Sequence, residues 1–253
     1  MTKRSGNNWA RKWMNVLGPM AMTVAVAAGC PLGGCGSGTS SGMSPPGSMQ
    51  TPGTEPPLGT LQMGEGTYYG ADGSGNCSYE ASPNDLLVAA MNDPQYNNSS
   101  VCGMCVDVTG PKGMVTVRIV DRCPECKTGD LDLSLQAFTR IADQSAGRVK
   151  ISWTPVACAV QGPVSFRFKE GSSQYWMAVQ LRNSRLPISK IELQRGTSWV
   201  TLEQQQYNYY IQANSPGPGP FTFRVTAVSG QQLTESGVAL MPSAVVQGTQ
   251  QFQ

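Results

Sequence analysis

The stretch VDRCPECKTGDLDLS, residues 120–134, holds three aspartates, one glutamate and a Cys-x-x-Cys pair. We read it as a loop in which these groups are compatible with a metal site, a redox pair, a glycosidase acid or a covalent staple for the fold. The 253-residue chain contains no histidine. This excludes mechanisms that depend on an imidazole group and zinc sites that need a histidine ligand.

The N-terminal region has the composition of an export signal followed by a tether. Basic residues precede an apolar run at positions 16–29, VLGPMAMTVAVAAG, which is too short and too interrupted by Gly and Pro to span a bilayer. We predict an export signal over residues 1–29. Residues 30–62 are dominated by Gly, Ser, Pro and Thr and predict a flexible linker. The protein is therefore expected to be secreted (extracellular), or lipid-anchored to the cell envelope through Cys30.

Charge divides the rest of the chain into two parts. Residues 63–159 hold seven basic and eleven acidic residues, whereas residues 160–253 hold seven basic and four acidic residues. We predict one domain over each of these ranges, with different tasks. Neither domain is basic enough to predict binding to nucleic acid.

The cysteines of the predicted folded part favour disulfides over metal. They are Cys77, Cys102, Cys105, Cys123, Cys126 and Cys158. The two Cys-x-x-Cys pairs lie seventeen residues apart, which is also the spacing of a four-cysteine zinc ribbon. Export to an oxidising compartment favours disulfides, because three disulfides use all six thiols while zinc leaves two over. We therefore expect no metal and no other cofactor. The strand-to-helix context of a redox Cys-x-x-Cys is missing as well.

Short β-rich segments alternate with turns in the first domain. We predict strands in GTYYG, MCVDVTG, GMVTVRIVD and VKISWTPV, and helices over residues 84–92 and 134–142. In the second domain VSFRF, MAVQL, KIELQ and FTFRV alternate apolar and polar residues, which is typical of a small β-sandwich. Trp199 and Phe223 are predicted to lie in its core.

Three motifs together resemble bacterial expansins over about residues 63–242: GTYYG at 66–70, VDRCPECKTGDLDLS at 120–134 and KEGSSQYW at 169–176. The resemblance implies a mainly β fold, with a six-stranded double-psi β-barrel over residues 63–159 followed by an immunoglobulin-like β-sandwich. It implies that the sandwich binds cellulose and that the protein loosens plant-type cell walls without cutting glycan chains. The disulfides it implies are Cys77–Cys102, Cys105–Cys158 and Cys123–Cys126.

In the barrel the resemblance implies a polar groove formed by Thr67, Tyr69, Asp121 and Asp132. Asp132 matches the proton-donating carboxylate of related barrel endoglucanases. An inverting glycosidase also needs a second carboxylate that activates water. Glu65 is the only carboxylate near the place of that base, and it does not match the base by motif. We therefore expect no catalytic residues and no hydrolysis.

Two further observations bear on this groove. Asp132 and Ser134 have an alternative interpretation as turn and cap residues before the second predicted helix. The family often has an aromatic side chain where this chain has Cys123, so one groove contact is missing or is replaced by a disulfide.

In the sandwich, Tyr175, Trp176 and Tyr207 match the three aromatics that form a flat cellulose-binding strip in expansins, with Lys169 beside them. Planar rings of this kind stack on the apolar faces of sugars. Successive strand residues point to opposite faces, so Tyr175 and Trp176 can share a face only at a bulge or a strand end. The alternative interpretation places Trp176 in the core.

Three functions remain open from the sequence. The leading one is non-lytic wall loosening by a monomer that binds cellulose and matrix polysaccharides. The second is an enzyme, a lytic transglycosylase or glycoside hydrolase that acts on peptidoglycan or cellulose through Asp132. The third is a binding module with an inert barrel.

Overall fold

The computed structural model describes residues 58–253. The predicted export signal, Cys30 and most of the predicted linker lie outside these described residues. Within residues 58–253, no helix is both long enough and apolar enough to cross a membrane. This part of the chain is mainly β, as the sequence predicts, and it consists of a closed barrel followed by two further sheets.

Six strands close the barrel. They are β1 (Gln62–Tyr69), β2 (Val88–Asn92), β3 (Cys105–Gly110), β4 (Gly113–Cys123), β5 (Leu131–Ser134) and β6 (Val149–Val156). Their order around the barrel is β1-β5-β2-β4-β3-β6. β1 runs parallel to β5, and β2 runs parallel to β4, whereas the other neighbours are antiparallel. This confirms the predicted six-stranded barrel.

Alternation along the strands builds the barrel core. On β4, Val115, Val117 and Ile119 point into the interior, because successive side chains of a strand face opposite sides. Helix α2 (Leu135–Ile141) closes the interior with the buried ring of Phe138. Ser134 caps this helix by accepting a hydrogen bond from the backbone N–H of Ala137, so the prediction of a helix over residues 134–142 is confirmed.

The helix predicted over residues 84–92 is wrong. Residues 88–92 form β2, whose five residues are all buried. Only the short helix α1 (Asp93–Tyr96) follows it. β2 pairs with β4 on one side and with β5 on the other, and these non-local hydrogen bonds outweigh the high intrinsic helix propensity of Ala and Met.

The segment read as a loop, residues 120–134, is mostly strand. β4 continues through Cys123, and β5 occupies Leu131–Ser134. Only residues 124–130 connect the two strands. Asp121 and Asp132 therefore stand on strands of the barrel rather than on a mobile connection, which fixes their separation.

The second domain is a sandwich of two sheets. Its strands are β7 (Ser165–Phe168), β8 (Met177–Arg182), β9 (Ile188–Arg195), β10 (Ser198–Thr201), β11 (Glu203–Gln204), β12 (Tyr210–Gln212), β13 (Phe221–Ala227), β14 (Gln232–Val238) and β15 (Val245–Gln247). One sheet has the order β10-β9-β13-β14 and the other β11-β12-β8-β7-β15. The rings of Phe166 and Phe223, one from each sheet, stack with centroids 5.2 Å apart. They mark the core between the sheets.

One predicted core residue of the sandwich lies elsewhere. Phe223 is fully buried, as predicted, but Trp199 is only half-buried on β10. Trp199 pairs with Gln194 on the outer face of its sheet, and the Arg224 guanidinium lies 4.4 Å from its ring centroid. The prediction of Trp199 as a core residue is therefore wrong.

Described residues that precede the predicted domain start at residue 63 already contact the folded part of the chain. β1 starts at Gln62. The backbone N–H of Leu58 donates to the carbonyl of Pro155 at 2.9 Å, and its side chain packs against the sandwich core. An isolated leucine in a Gly/Pro-rich stretch gives no sequence signal of this contact.

Three disulfides are present: Cys77–Cys102, Cys105–Cys158 and Cys123–Cys126. These are the pairs that the resemblance implies. Cys105–Cys158 ties β3 to the segment that leads into the sandwich. Because the three bonds use all six cysteines between residues 58 and 253, they leave no thiolate there for the zinc alternative.

Candidate functional site

Strand register brings the predicted groove residues into one row. Thr67 on β1 pairs with Asp132 on β5, Asp132 pairs with Ala90 on β2, and Ala90 pairs with Asp121 on β4. We call Thr67, Asp132, Ala90 and Asp121 the polar row. With strands about 4.8 Å apart, the row extends roughly 14 Å across the barrel. The methyl group of Ala90 leaves space between the two carboxylates.

Asp132 is a half-buried acid with one fixed partner. The Thr67 hydroxyl donates to Asp132 Oδ1 at 2.6 Å. Burial raises the pKa of Asp132, the hydrogen bond from Thr67 opposes this rise, and the negative charges of Glu125 and Asp121 add to it. A raised pKa favours the neutral carboxyl, which can donate a hydrogen bond as well as accept one.

Asp121 is held from the backbone. Its Oδ1 accepts the N–H groups of Asn76 at 2.6 Å and of Arg122 at 2.8 Å. Gly75 permits this close approach, because a Cβ there would lie 2.5 Å from the Asp121 side chain. Asp121 is therefore a fixed acceptor at the end of the row.

Tyr69 completes the set of predicted groove residues. Its hydroxyl is buried and has no hydrogen-bond partner among the described residues. Burial raises the pKa of Tyr69, and the charges of Asp121 and Asp132 raise it further. The phenol therefore stays protonated.

Glu65 is paired with two cations. Its two carboxylate oxygens accept from Lys150 Nζ and from Arg148 Nη1, each at 2.8 Å. The hydrogen bonds from Lys150 and Arg148 lower the pKa of Glu65. A carboxylate with a low pKa and both oxygens occupied is a weak acceptor for a proton from water.

A disulfide-closed turn follows the row. Cys123 ends β4 and is bonded to Cys126, and the exposed Glu125 lies between them. Cys123 stands two residues after Asp121, at the position for which the resemblance implies an aromatic side chain in many members of the family, and in this chain the residue there forms a disulfide.

We call Tyr175, Trp176 and Tyr207 the aromatic strip. Tyr175 is 68% exposed, and the other two rings are half-buried. β8 begins at Met177, so Tyr175 and Trp176 both precede the strand and the rule of alternating faces does not separate them. Gly171, with φ of 82°, forms the turn before them.

Trp176 does not belong to the sandwich core. Met177, Val179 and Leu181 of β8 face that core, whereas Trp176 is half-buried and is neither a member of the core nor packed against it. The side chain of Gln180 faces the barrel, and its Nε2 donates to the Cys77 carbonyl at 2.9 Å. The alternative interpretation of Trp176 as a core residue is therefore wrong.

Lys169 lies beside Tyr207, as the resemblance implies. Its ammonium is 6.0 Å from the ring centroid of Tyr207 and 5.7 Å from that of Tyr209. Tyr209 is buried and its ring centroid lies 6.0 Å from that of Tyr207. Sequence reasoning missed Tyr209, whose buried ring packs against the ring of Tyr207.

The polar row and the aromatic strip adjoin at Asn76. The backbone N–H of Asn76 binds Asp121, and its side-chain Nδ2 donates to the Gln206 carbonyl at 2.9 Å, next to Tyr207. Sequence reasoning missed Asn76, because nothing in GNCSYE marks an asparagine that contacts the second domain. In residues 58–253, no group of His, Cys, Asp or Glu is arranged to hold a metal ion.

Comparison with known proteins gives consistent matches. A family model described as "Lytic transglycolase" matches residues 88–153. The chain is 34% identical over 191 residues to Expansin-YoaJ of Bacillus subtilis, covering 71% of this chain and 82% of that protein. It is 33% identical over 179 residues to Expansin-like protein 1 of Dictyostelium discoideum, covering 65% of this chain and 62% of that protein. The fold matches a mutant expansin of Clavibacter michiganensis crystallised with cellohexaose, with a TM-score of 0.73, 34% identity and coverage of 77% of this chain and 98% of that one.

Proposed function

Because the chain belongs to the expansin family, we propose that it loosens plant-type cell walls by binding cellulose and disrupting non-covalent contacts between glycans. The similarity to a bacterial expansin covers most of both proteins. A related expansin is crystallised with a cellulose oligosaccharide, which supports a cellulose-type ligand. Matrix polysaccharides are the second partner in this proposal.

The aromatic strip docks the protein. Its three rings present apolar faces to sugar rings, and each stack removes apolar surface from water. The polar row then binds hydroxyl groups of a neighbouring glycan, with Asp132 as a donor and Asp121 as a fixed acceptor. The observation that carries the proposal is that Asn76 contacts both Asp121 of the polar row and the Gln206 carbonyl next to Tyr207 of the aromatic strip. One surface can then bind a polymer at the row and at the strip.

Hydrolysis is not part of the proposal. An inverting mechanism needs a base that takes a proton from water. Glu65 is the carboxylate nearest to the expected place, and Lys150 and Arg148 occupy its oxygens. Asp132 can donate a proton, but Glu65 is poorly suited to generate the nucleophile.

A lytic transglycosylase is the second candidate function. The matched lytic transglycolase model covers residues 88–153 and includes Asp132. Such an enzyme needs no base for water, because a hydroxyl group of the glycan itself attacks. Peptidoglycan would be its substrate, and this function requires an assay of its own.

The test compares wild type, Asp132→Asn and the control Asp143→Asn on cellulose, on peptidoglycan and on extending plant wall strips. Asp143 is exposed, pairs with Lys112 and lies outside the polar row. We expect Asp132→Asn to weaken or abolish wall extension, Asp143→Asn to retain it, and no protein to release soluble sugars. Anhydro-sugar fragments from peptidoglycan with wild type, lost in Asp132→Asn, would establish the transglycosylase instead.

We also propose that residues 1–29 direct export and that the protein acts outside the cytoplasm as a monomer, either free or anchored through a lipid on Cys30. The basic residues and the apolar run within residues 1–29 support the export. Labelling with a radioactive fatty acid in wild type and in Cys30→Ser distinguishes the free form from the anchored form.

A further inference from the structure

Side chains of the barrel bind three consecutive backbone carbonyls just before Tyr207. The bonds are Asn98 Nδ2 to Gln204 O at 2.9 Å, Ser99 Oγ to Gln205 O at 2.8 Å, and Asn76 Nδ2 and Tyr96 Oη to Gln206 O at 2.9 Å each. A loop at the edge of a sheet would ordinarily leave such carbonyls to water. Here the other domain holds each of them, so the backbone before Tyr207 has little freedom to move.

Asn76 is the residue that links this loop to the polar row. Its backbone N–H donates to Asp121 Oδ1, and its side-chain Nδ2 donates to Tyr96 Oη and Gln206 O. The next residue, Cys77, anchors Asn76 through a disulfide to Cys102. A single residue thus separates an acceptor of the row from the carbonyl next to a ring of the strip.

We propose that Asn76, together with Tyr96, is a positioning residue that sets the spacing between the polar row and Tyr207 so that one glucan chain binds both. This inference rests on the proposed function. Two contacts on the same ligand strengthen each other only when their spacing matches the ligand, because the second contact is then intramolecular. If the loop before Tyr207 were mobile, the gain in affinity from simultaneous binding would be lost, although the polar row and the aromatic strip would both still be present.

The ligand is a β-1,4-linked glucan longer than the strip alone can cover. A short oligosaccharide reaches the rings of the strip, whereas a longer one also reaches hydroxyl partners in the row. The quantity set by Asn76 is therefore the ratio of the two affinities. A purely structural role would change the melting temperature but not this ratio.

The chain offers a matched control in the same domain interface. Glu80 of the barrel forms ion pairs of 2.9 Å with Arg167 and 2.5 Å with Arg182 of the sandwich. Glu80→Gln removes both charge pairs between the domains, but neither reaches the carbonyls of residues 204–206. Asn98→Ala, at an exposed position, removes one carbonyl contact independently of Asn76.

The experiment measures the affinities of cellotriose and cellohexaose by calorimetry for wild type, Asn76→Ala/Tyr96→Phe, Asn98→Ala and Glu80→Gln, after thermal melting verifies that each is folded. Asn76→Ala keeps the backbone N–H to Asp121. We expect the double variant to bind cellohexaose roughly fivefold more weakly, because that is the change in affinity that corresponds to the net contribution of about one hydrogen bond. Its affinity for cellotriose should stay within twofold.

The outcomes separate this inference from the proposed function. Wild type and Glu80→Gln should share the same ratio of affinities, and Asn98→Ala should lower it in the same direction as the double variant. An unchanged ratio in the folded double variant and in Asn98→Ala would overturn the positioning role and leave the proposed function standing. No binding of either oligosaccharide by wild type would overturn both.

Discussion

Simultaneous substitution of Tyr175, Trp176 and Tyr207 by alanine should abolish binding to crystalline cellulose. Stacking of an aromatic ring on a nucleic-acid base contributes about 1 to 3 kcal/mol, and stacking on a sugar should lie at or below the lower end of that range. A single ring at about 1 kcal/mol corresponds to a roughly fivefold change in affinity, whereas three correspond to more than about 100-fold. Only the triple variant therefore gives an unambiguous loss.

The structure indicates which ring costs stability when it is removed. Tyr175 is 68% exposed, so its truncation should leave the free energy of unfolding nearly unchanged. Trp176 and Tyr207 are half-buried, and truncation of each should cost less than the roughly 3 to 5 kcal/mol of a fully buried aromatic. The sandwich core is formed by other residues, so the variant should remain folded.

Trp199→Ala is the matched control. Trp199 is also half-buried, but it lies on the other sheet of the sandwich under Arg224. Binding isotherms on microcrystalline cellulose should be unchanged for this variant and flat for the triple variant, with circular dichroism as the check on folding. Wild-type affinity in a folded triple variant would refute the assignment of the strip.

Two further predictions concern stability. Replacing Cys105 and Cys158 with serine should lower the free energy of unfolding by about 4 kcal/mol, because by the loop-entropy relation that disulfide closes a separation of 53 residues. Replacing Cys123 and Cys126 should lower it by only about 1.5 kcal/mol, because their separation is 3 residues. Equal losses of unfolding free energy for the two variants in urea denaturation would contradict this prediction. Since the pKa of Asp132 is raised in the folded state, Asp132 stabilises the fold at pH below its unfolded pKa and loses this contribution as pH rises through the folded pKa. Asp132→Asn should therefore melt higher than wild type at pH 7 and show a smaller difference at pH 3, and a difference independent of pH would contradict the raised pKa.

Local sequence patterns correctly predicted those helices and strands whose conformation does not depend on contacts with distant segments. The helix at Ser134 could be predicted because its N-cap residue and its apolar stripe both lie within one short segment of the sequence. The strand at Val149–Val156 could be predicted because its composition and alternation favour β structure. Four of the sandwich strands, β7, β8, β9 and β13, followed from the same period-two pattern.

Contacts between distant segments could not be predicted from local patterns. Residues 88–92 lie in a strand because two neighbouring strands satisfy their backbone, and this information is carried elsewhere in the chain. Ala90 at the centre of the polar row was consequently read as part of a helix. Trp199 was read as core because hydrophobicity alone cannot distinguish an inner face from an outer face covered by Arg224.

The candidate site shows the same division. Its carboxylates and rings were found because the motifs that carry them resemble a family, but their environments came only from the fold. Asp132 and Glu65 have the same functional group and lie on paired strands, yet burial raises one pKa while two cations lower the other. Such a divergence is the usual mark of an acid and a base in a glycosidase.

What argues against a glycosidase here is the occupation of Glu65. Arg148 lies near Asp132, lowering its pKa, and also binds Glu65. A water that approached Glu65 as a nucleophile would have to displace the hydrogen bond of Arg148 or that of Lys150. The same cations that make Glu65 a weak base thus make it unsuited to serve Asp132 as a partner in hydrolysis, and a carboxyl with a raised pKa that accepts from Thr67 is a group suited to binding sugar hydroxyls.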